Sequence, residues 1–180
     1  MTHPGRLIRI TLVGWALAAL AAGCSSDDHK RPELRAALDR AQLSLRDSVG
    51  VALAAMEGSV AVRARLVMDD QPVFSVGALE QRTLQDVRID VVSGAIVSTA
   101  AAGTAEGPCD GDLPLTEALA IAEQAAGGEA VAVVPDDDVA CAHEIQVMVA
   151  DTLWEVKVAG SGEVLEKELS DEYGGSGDDD

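Results

Sequence analysis

Apolar residues recur along this chain with two periods, and the period changes from helical to extended twice. Leu34, Ala37, Leu38 and Ala41 fall at helical spacing behind Pro32 and Glu33, predicting a short amphipathic helix. Ser44 is placed to cap a second helix, whose Leu45, Val49, Ala52, Leu53 and Met56 share one face and which Gly58 ends. The period then drops to two. Val60, Val62, Ala64 and Leu66 alternate with Ala61, Arg63 and Arg65. Asp69-Asp70-Gln71-Pro72 turns the chain into an extended Val73–Leu79 segment. Past a polar break at Glu80-Gln81-Arg82, Val87, Ile89 and Val91 alternate with Asp86, Arg88 and Asp90, the signature of a half-buried strand. Ser93-Gly94 makes a turn into a short extended piece from Ala95 to Val97.

An Ala- and Gly-rich stretch, Ser98 to Asp112, reads as a linker, and after it the same grammar returns. Thr116 is the expected helix cap, with Glu117 in the first turn, Leu119, Ala122 and Ala126 on one face, and Gly127-Gly128 as the stop. Val131 and Val133 predict a strand, and Pro135-Asp136-Asp137-Asp138 a loop. Ile145, Val147 and Val149 then alternate with Glu144 and Gln146, and Trp154, Val156 and Val158 with Glu155 and Lys157. Gly160-Ser161-Gly162 turns the chain into Glu163-Val164-Leu165. Val49 overlays Leu119 and Gly58 overlays Gly128, while Ser93-Gly94 falls on Ser161-Gly162. The organisation predicted is an internal repeat: a first module over 44–98, a linker over 99–113 and a second module over 114–169. The expected class is α+β, each module one helix packed on its own three- to four-stranded antiparallel sheet.

Leu115-Thr116-Glu117-Ala118-Leu119-Ala120-Ile121-Ala122 before Gly127-Gly128, and Trp154-Glu155-Val156-Lys157-Val158 leading to Ser161-Gly162-Glu163-Val164-Leu165, resemble the PepSY domain family. Arg88 to Val97 looks like the same strand and turn, with Asp90 at a position where the family often carries aspartate and where the second copy places Val158. The resemblance covers about residues 44–98 and 115–167. It implies two divergent PepSY-like modules of a kind found in secreted and membrane-anchored bacterial proteins and linked to inhibition or chaperoning of peptidases.

The amino terminus adds an address. Arg6 and Arg9 precede an apolar run, Ile10–Ala22, too short to span a bilayer, which ends in Leu20-Ala21-Ala22-Gly23-Cys24. This resembles a bacterial lipoprotein signal over residues 1–23, although Ala21 replaces the usual leucine. It implies acylation of Cys24, with palmitate among the expected chains, followed by a polar tether reaching the first helix over 24–43. Several acyl chains anchor firmly where one would not. Ser25 after the cysteine resembles the pattern that directs lipoproteins to the outer rather than the inner membrane.

Charge then narrows the partners. The 180 residues carry 31 acidic and 13 basic side chains, a net charge of −18. Loss of Arg6 and Arg9 with the leader brings the mature chain to about −20, which repels nucleic acid and opposes docking onto anionic lipid. Membrane attachment is therefore expected through the lipid anchor alone. The mature aromatics are Phe74, Trp154 and Tyr173, too few for a stacking platform for sugars or bases. The core must come from Val, Ile, Leu, Ala and Met. The stretch 170–180 reads as an acidic, disordered tail.

Export places the protein where disulfides persist. With Cys24 committed to lipid, a Cys109–Cys141 bond is the simplest use of the other two cysteines. Its sequence separation excludes a local Cys-x-x-Cys redox pair, and two thiols with one histidine are too few for structural zinc. No Gly-x-Ser-x-Gly, His-Glu-x-x-His or phosphate-binding glycine loop occurs. Mature histidines are His29 in the tether and His143, which is expected on the solvent side of a strand start beside the disulfide. The aspartates 136–138 are the best cation candidates, but three adjacent carboxylates cannot all face one ion and read as a solvated loop. No catalytic residue, metal site or cofactor is predicted. The expected function is a non-catalytic, lipid-anchored envelope protein that binds an envelope or secreted protein, a peptidase being one candidate. The alternatives are a structural or accessory envelope lipoprotein and a low-affinity divalent-cation binder.

Overall fold

Helix α1 (Lys30–Leu38) opens the computed structural model, which describes residues 30–109 and 111–170. Cys24, the leader, the tether up to His29 and the tail beyond Ser170 lie outside these residues. Helix α2 (Leu45–Ala55) begins at a complete capping box: the Asp47 N–H donates to Ser44 Oγ at 3.0 Å, and the Ser44 N–H donates to the Asp47 carboxylate at 3.3 Å. Helix α3 (Leu115–Ala126) begins one residue before Thr116, with Pro114 at its N-cap and no side-chain cap. Proline pre-sets the backbone there, so Thr116 becomes the second helical residue rather than the cap. Gly127, in the left-handed region at φ 80°, ends α3 as the sequence implied.

Each of the latter two helices leads into a four-strand meander. The first comprises β1 (Val60–Met68), β2 (Pro72–Glu80), β3 (Thr83–Asp90) and β4 (Ile96–Thr104), and the second β5 (Glu129–Pro135), β6 (Ala142–Val149), β7 (Thr152–Ala159) and β8 (Val164–Leu169). Strand β4 runs through seven residues, Ser98 to Thr104, of the stretch that reads as linker, because Ala and Gly leave no apolar alternation to mark it.

The two meanders do not form separate sheets. Strands β1 and β5 pair antiparallel, Ala64 opposite Val133 and Arg65 opposite Ala132, giving one eight-stranded sheet in the order β4-β3-β2-β1-β5-β6-β7-β8. This overturns the expectation of two modules, each with its own small sheet. An isolated meander would leave the unpaired N–H and C=O groups of its first strand at an open edge, and joining two such edges removes both. Period-two alternation reports which face a residue occupies and nothing about the neighbouring strand, so the seam was invisible in the pattern.

Side chains on the helix-facing row, from β4 to β8, are Thr99, Val87, Val76, Ala64, Val133, Ile145, Val156 and Lys167. The six inner members are buried. Against this row pack Val49 and Ala52 of α2, Leu119 and Ala122 of α3, and Leu34 and Ala37 of α1, so α1 belongs to the same core rather than to a tether. The adjacent row, on the opposite face, is Ser98, Arg88, Ser75, Arg65, Ala132, Gln146, Glu155 and Glu168. It is basic in the first half and acidic in the second.

Local details recur between the halves. The β4 partner register shifts between Arg88 and Ile89, and the β8 register shifts between Lys157 and Val158. The following turns place Gly94 and Gly162 at φ 70° and 87°, where a Cβ would be strained. The Asp90 N–H donates to the Ala95 carbonyl and the Ala159 N–H to the Glu163 carbonyl, so Ala159 rather than Val158 stands where Asp90 does. Asp90 additionally accepts from the Ser93 N–H and hydroxyl, at 2.7 Å each, a turn bond that Ala159 cannot make.

Candidate functional site

Cys109 and Cys141 form a disulfide with their Cα atoms 5.6 Å apart, within the range such a bond requires. It fastens the connection between β4 and α3 to the start of β6. Neighbouring bonds strengthen the attachment. The Cys109 N–H donates to Asp112 Oδ2 at 2.8 Å, Gly160 donates to the Cys141 carbonyl at 2.6 Å, and Leu113 donates to the Gly160 carbonyl at 3.1 Å. A Cβ on Gly160 would lie 2.9 Å from the Cys141 oxygen and closer still to the Asp112 carboxylate, so this crossing requires glycine. The two sulfurs and an Asp112 oxygen sit within ligand distance of one another. Both sulfurs are spent in the disulfide, which leaves no thiolate for a metal.

His143 departs from expectation. Rather than facing solvent, it is 7% exposed. It pairs with Pro135 and Val158 in the sheet and shares the helix-facing side with Ile145 and Val147. Among the described residues, neither imidazole nitrogen has a hydrogen-bond partner. Burial lowers the pKa below the ordinary histidine value, against an opposing pull from Asp112, so the ring is neutral at pH 7. The chain period alone could have placed His143 inside, two residues before Ile145, but its polarity and its nearness to Cys141 argued the other way.

His143 lines a cavity of about 620 Å³ at the end of the β1–β5 seam. Val49 and Leu53 of α2, Val60 and Val62 of β1, and Leu113 and Leu115 at the start of α3 form much of its apolar wall. Ser59 is the one serine on that wall among the described residues, and its hydroxyl donates to the Met56 carbonyl at 2.6 Å. Thr116 also lines the wall, and among the described residues neither hydroxyl is hydrogen-bonded to His143.

The aspartate loop is organised by its own backbone. Asp136 Oδ1 accepts from the N–H groups of Asp138 and Val139, while Lys157 Nζ lies 2.8 Å from Oδ2. Burial opposes ionisation of Asp136, but Lys157 and the two N–H groups outweigh it and hold the pKa below the ordinary aspartate value. Both carboxylate oxygens of Asp136 are thus engaged within the protein. Gln146, expected among the exposed polar positions, is 4% exposed next to Ala132 on the row opposite the helices.

The two edges of the sheet differ sharply. All nine residues of β4 are exposed, none is charged and none is proline. Strand β8 carries Glu166, Lys167 and Glu168, and Lys167 Nζ donates to the Ala125 carbonyl at 2.9 Å while lying 4.7 Å from the centre of the Trp154 ring. Arg31 Nη2 donates to the Ser170 carbonyl at 3.0 Å beyond the end of β8. Charge and tethering protect that edge. Strand β4 has neither defence.

No family model matches the chain, so the PepSY resemblance of residues 44–98 and 115–167 receives no support there. No curated protein matches its sequence. A crystal structure from Clostridium difficile 630, described as that of a "putative lipoprotein", aligns over 72% of this chain and 95% of its own at 15% identity and a TM-score of 0.44. A likeness at that level brings no function to this chain.

Proposed function

We propose that this is a non-catalytic, lipid-anchored envelope protein that receives an extended segment of a protein partner along the free edge of β4. The observation that carries the reading is the contrast between the two sheet edges. A row of unpaired N–H and C=O groups, flanked by small uncharged side chains, is the surface that strand addition requires. The anchor rests on Cys24 behind Leu20-Ala21-Ala22-Gly23, with the outer membrane preferred to the inner. A secreted or envelope peptidase is the partner this reading carries forward. The engagement of Asp136 by Lys157 speaks against the cation-binding alternative.

A photo-crosslinking residue at Ala100, introduced in the intact envelope, should give a discrete protein adduct, whereas one at Glu166 on β8 should not. Ala100→Lys with Ala102→Lys should abolish adducts formed from a crosslinker at Thr99, since inserted charge blocks strand pairing. Equal labelling from both edges would reject the docking edge. Absence of adducts together with acyl mass on Cys24 would leave a purely accessory envelope role.

A further inference from the structure

The cavity beneath the β4–α3 connection has features that edge-strand docking does not use. Its volume of about 620 Å³ lies in the range of small-molecule sites. Its walls come from both halves of the sheet and from two helices, and they are mainly Val, Leu, Ala and Pro. The disulfide and the Leu113–Gly160 bond hold its roof in place. Among the described residues of its wall, one polar side chain is both buried and without a partner: His143, 7% exposed, with neither nitrogen bonded. A buried imidazole in that condition carries a desolvation cost that a ligand group could offset.

The geometry points to a binding site for an uncharged amphiphile, an apolar chain or ring ending in one hydroxyl or amide, with the His143 imidazole as the polar anchor. The charge on the wall selects against the alternatives. Arg63 is the basic residue lining the cavity, and Glu106, Asp112 and Asp136 line it too, so an anion meets more repulsion than attraction. A cation could donate to the imidazole but not accept from it. Of the three wall carboxylates, Asp112 is engaged by the Cys109 N–H and Asp136 by Lys157, and Glu106 is exposed to solvent rather than buried beside the imidazole. A hydroxyl or amide can donate or accept, so it suits whichever nitrogen the ring presents. The mouth includes Val60, itself 44% exposed, so the site is reachable from solvent.

The test uses the chain from residue 24 to 180 with Cys24→Ser, so that no acyl group of its own competes. N-phenyl-1-naphthylamine, an uncharged fluorophore with one N–H, should bind saturably at one site. Competition with 1-octanol, octanoate, octylammonium and 1-fluorooctane reads the head-group preference. The alcohol should displace the probe at least about tenfold better than either ion, and about three- to tenfold better than the fluoroalkane, the range of one neutral hydrogen bond. Val60→Trp should weaken probe binding at least about tenfold by filling the mouth; if that variant melts early, Leu53→Trp, also on the wall and partly exposed, takes its place. His143→Leu should keep the probe but equalise octanol and fluorooctane. The proposal is overturned by non-saturable binding, by an ion competing best, by indifference to both tryptophan variants, or by an octanol preference that survives His143→Leu.

Discussion

The two halves of the sheet share one burial pattern on the inside and differ on the outside. Helix α2 buries Leu45, Ser48, Val49 and Ala52, and α3 buries Leu115, Ala118, Leu119 and Ala122, each position 70 residues after its counterpart. Strands β3 and β7 share one burial pattern residue for residue, with Leu84, Val87 and Ile89 matched by Leu153, Val156 and Val158. The outer face diverges. Asp86 sits with Arg88 and Ser75, whereas its counterpart Glu155 lies opposite Gln146 and Glu168. Close packing constrains the inside strongly, because any change of volume there is felt. The outside is free to acquire a sign of charge, an edge defence or none, and it is where the halves have become different surfaces.

If the halves are one cooperative body, damage to either should unfold both. Ile89→Asp and its counterpart Val158→Asp each bury an unpaired carboxylate at a position with no solvent exposure and should cost several kcal/mol, enough to unfold the domain. Trp154, in the second half, is the one tryptophan beyond Cys24, so in a chain that starts at Cys24 its fluorescence should report the Ile89→Asp lesion across the seam. A normal Trp154 transition in Ile89→Asp would show that the halves melt independently and that the β1–β5 pairing contributes little.

The disulfide sharpens the same question. It links positions 32 residues apart and should be worth about 3–4 kcal/mol in the loop-entropy view. Two independent modules would place that loss in the second. A single sheet, with the bond fastening the connection between halves to β6, predicts one transition shifted as a whole when thermal melts with and without reductant are followed by Trp154 fluorescence and by far-ultraviolet circular dichroism.

What could be read from the sequence follows the same division. The inward positions were legible because packing imposes a period: Leu45, Val49 and Ala52 on the helix, Val87 and Ile89 on the strand, and the glycine turns after them. The seam was not, since Ala64 and Val133 would look the same on separate sheets. Nor was β4, whose Ala-rich run has no period to show. Gln146 and His143 failed for one shared reason. Polarity predicts exposure, whereas register and the crossing connection decide their burial. The Asp136–Lys157 pair joins a loop to a strand 21 residues later, and sequence spacing has no signal for such a contact.

The helix starts offer a smaller contrast. Ser44→Ala removes the hydroxyl that accepts from the Asp47 N–H and donates to the Asp47 carboxylate, leaving only the backbone N–H of residue 44 on that carboxylate; about 1 kcal/mol should be lost. Pro114→Ala removes no side-chain cap and should stay within about 0.5 kcal/mol. Chemical denaturation of the two variants side by side measures the difference. Equal losses would mean that α2 draws little from its capping box.

The smallest effect tests the outer face, and its sign depends on pH. Burial first, then the nearby carboxylates of Glu144 and Glu168, raise the Glu155 pKa above the ordinary glutamate value. A raised carboxyl pKa means that folding favours the protonated form. Its stabilising share is complete below the unfolded pKa, near 4.5, and is lost as pH rises through the folded value. Glu155→Gln should therefore be more stable than the parent at pH 7, by about 0.5 kcal/mol or less given its solvent access, with the advantage gone near pH 4. Asp86→Asn should run the other way at pH 7, losing the charge that strengthens the bond accepted from the Ser75 hydroxyl and the ion pair with Arg88 at 3.3 Å. Thermal melts of both variants against the parent at pH 7 and pH 4 decide the matter. If Glu155→Gln destabilises at neutral pH, the acidic row contributes to stability rather than straining the fold, and the electrostatic asymmetry between the halves has the opposite meaning.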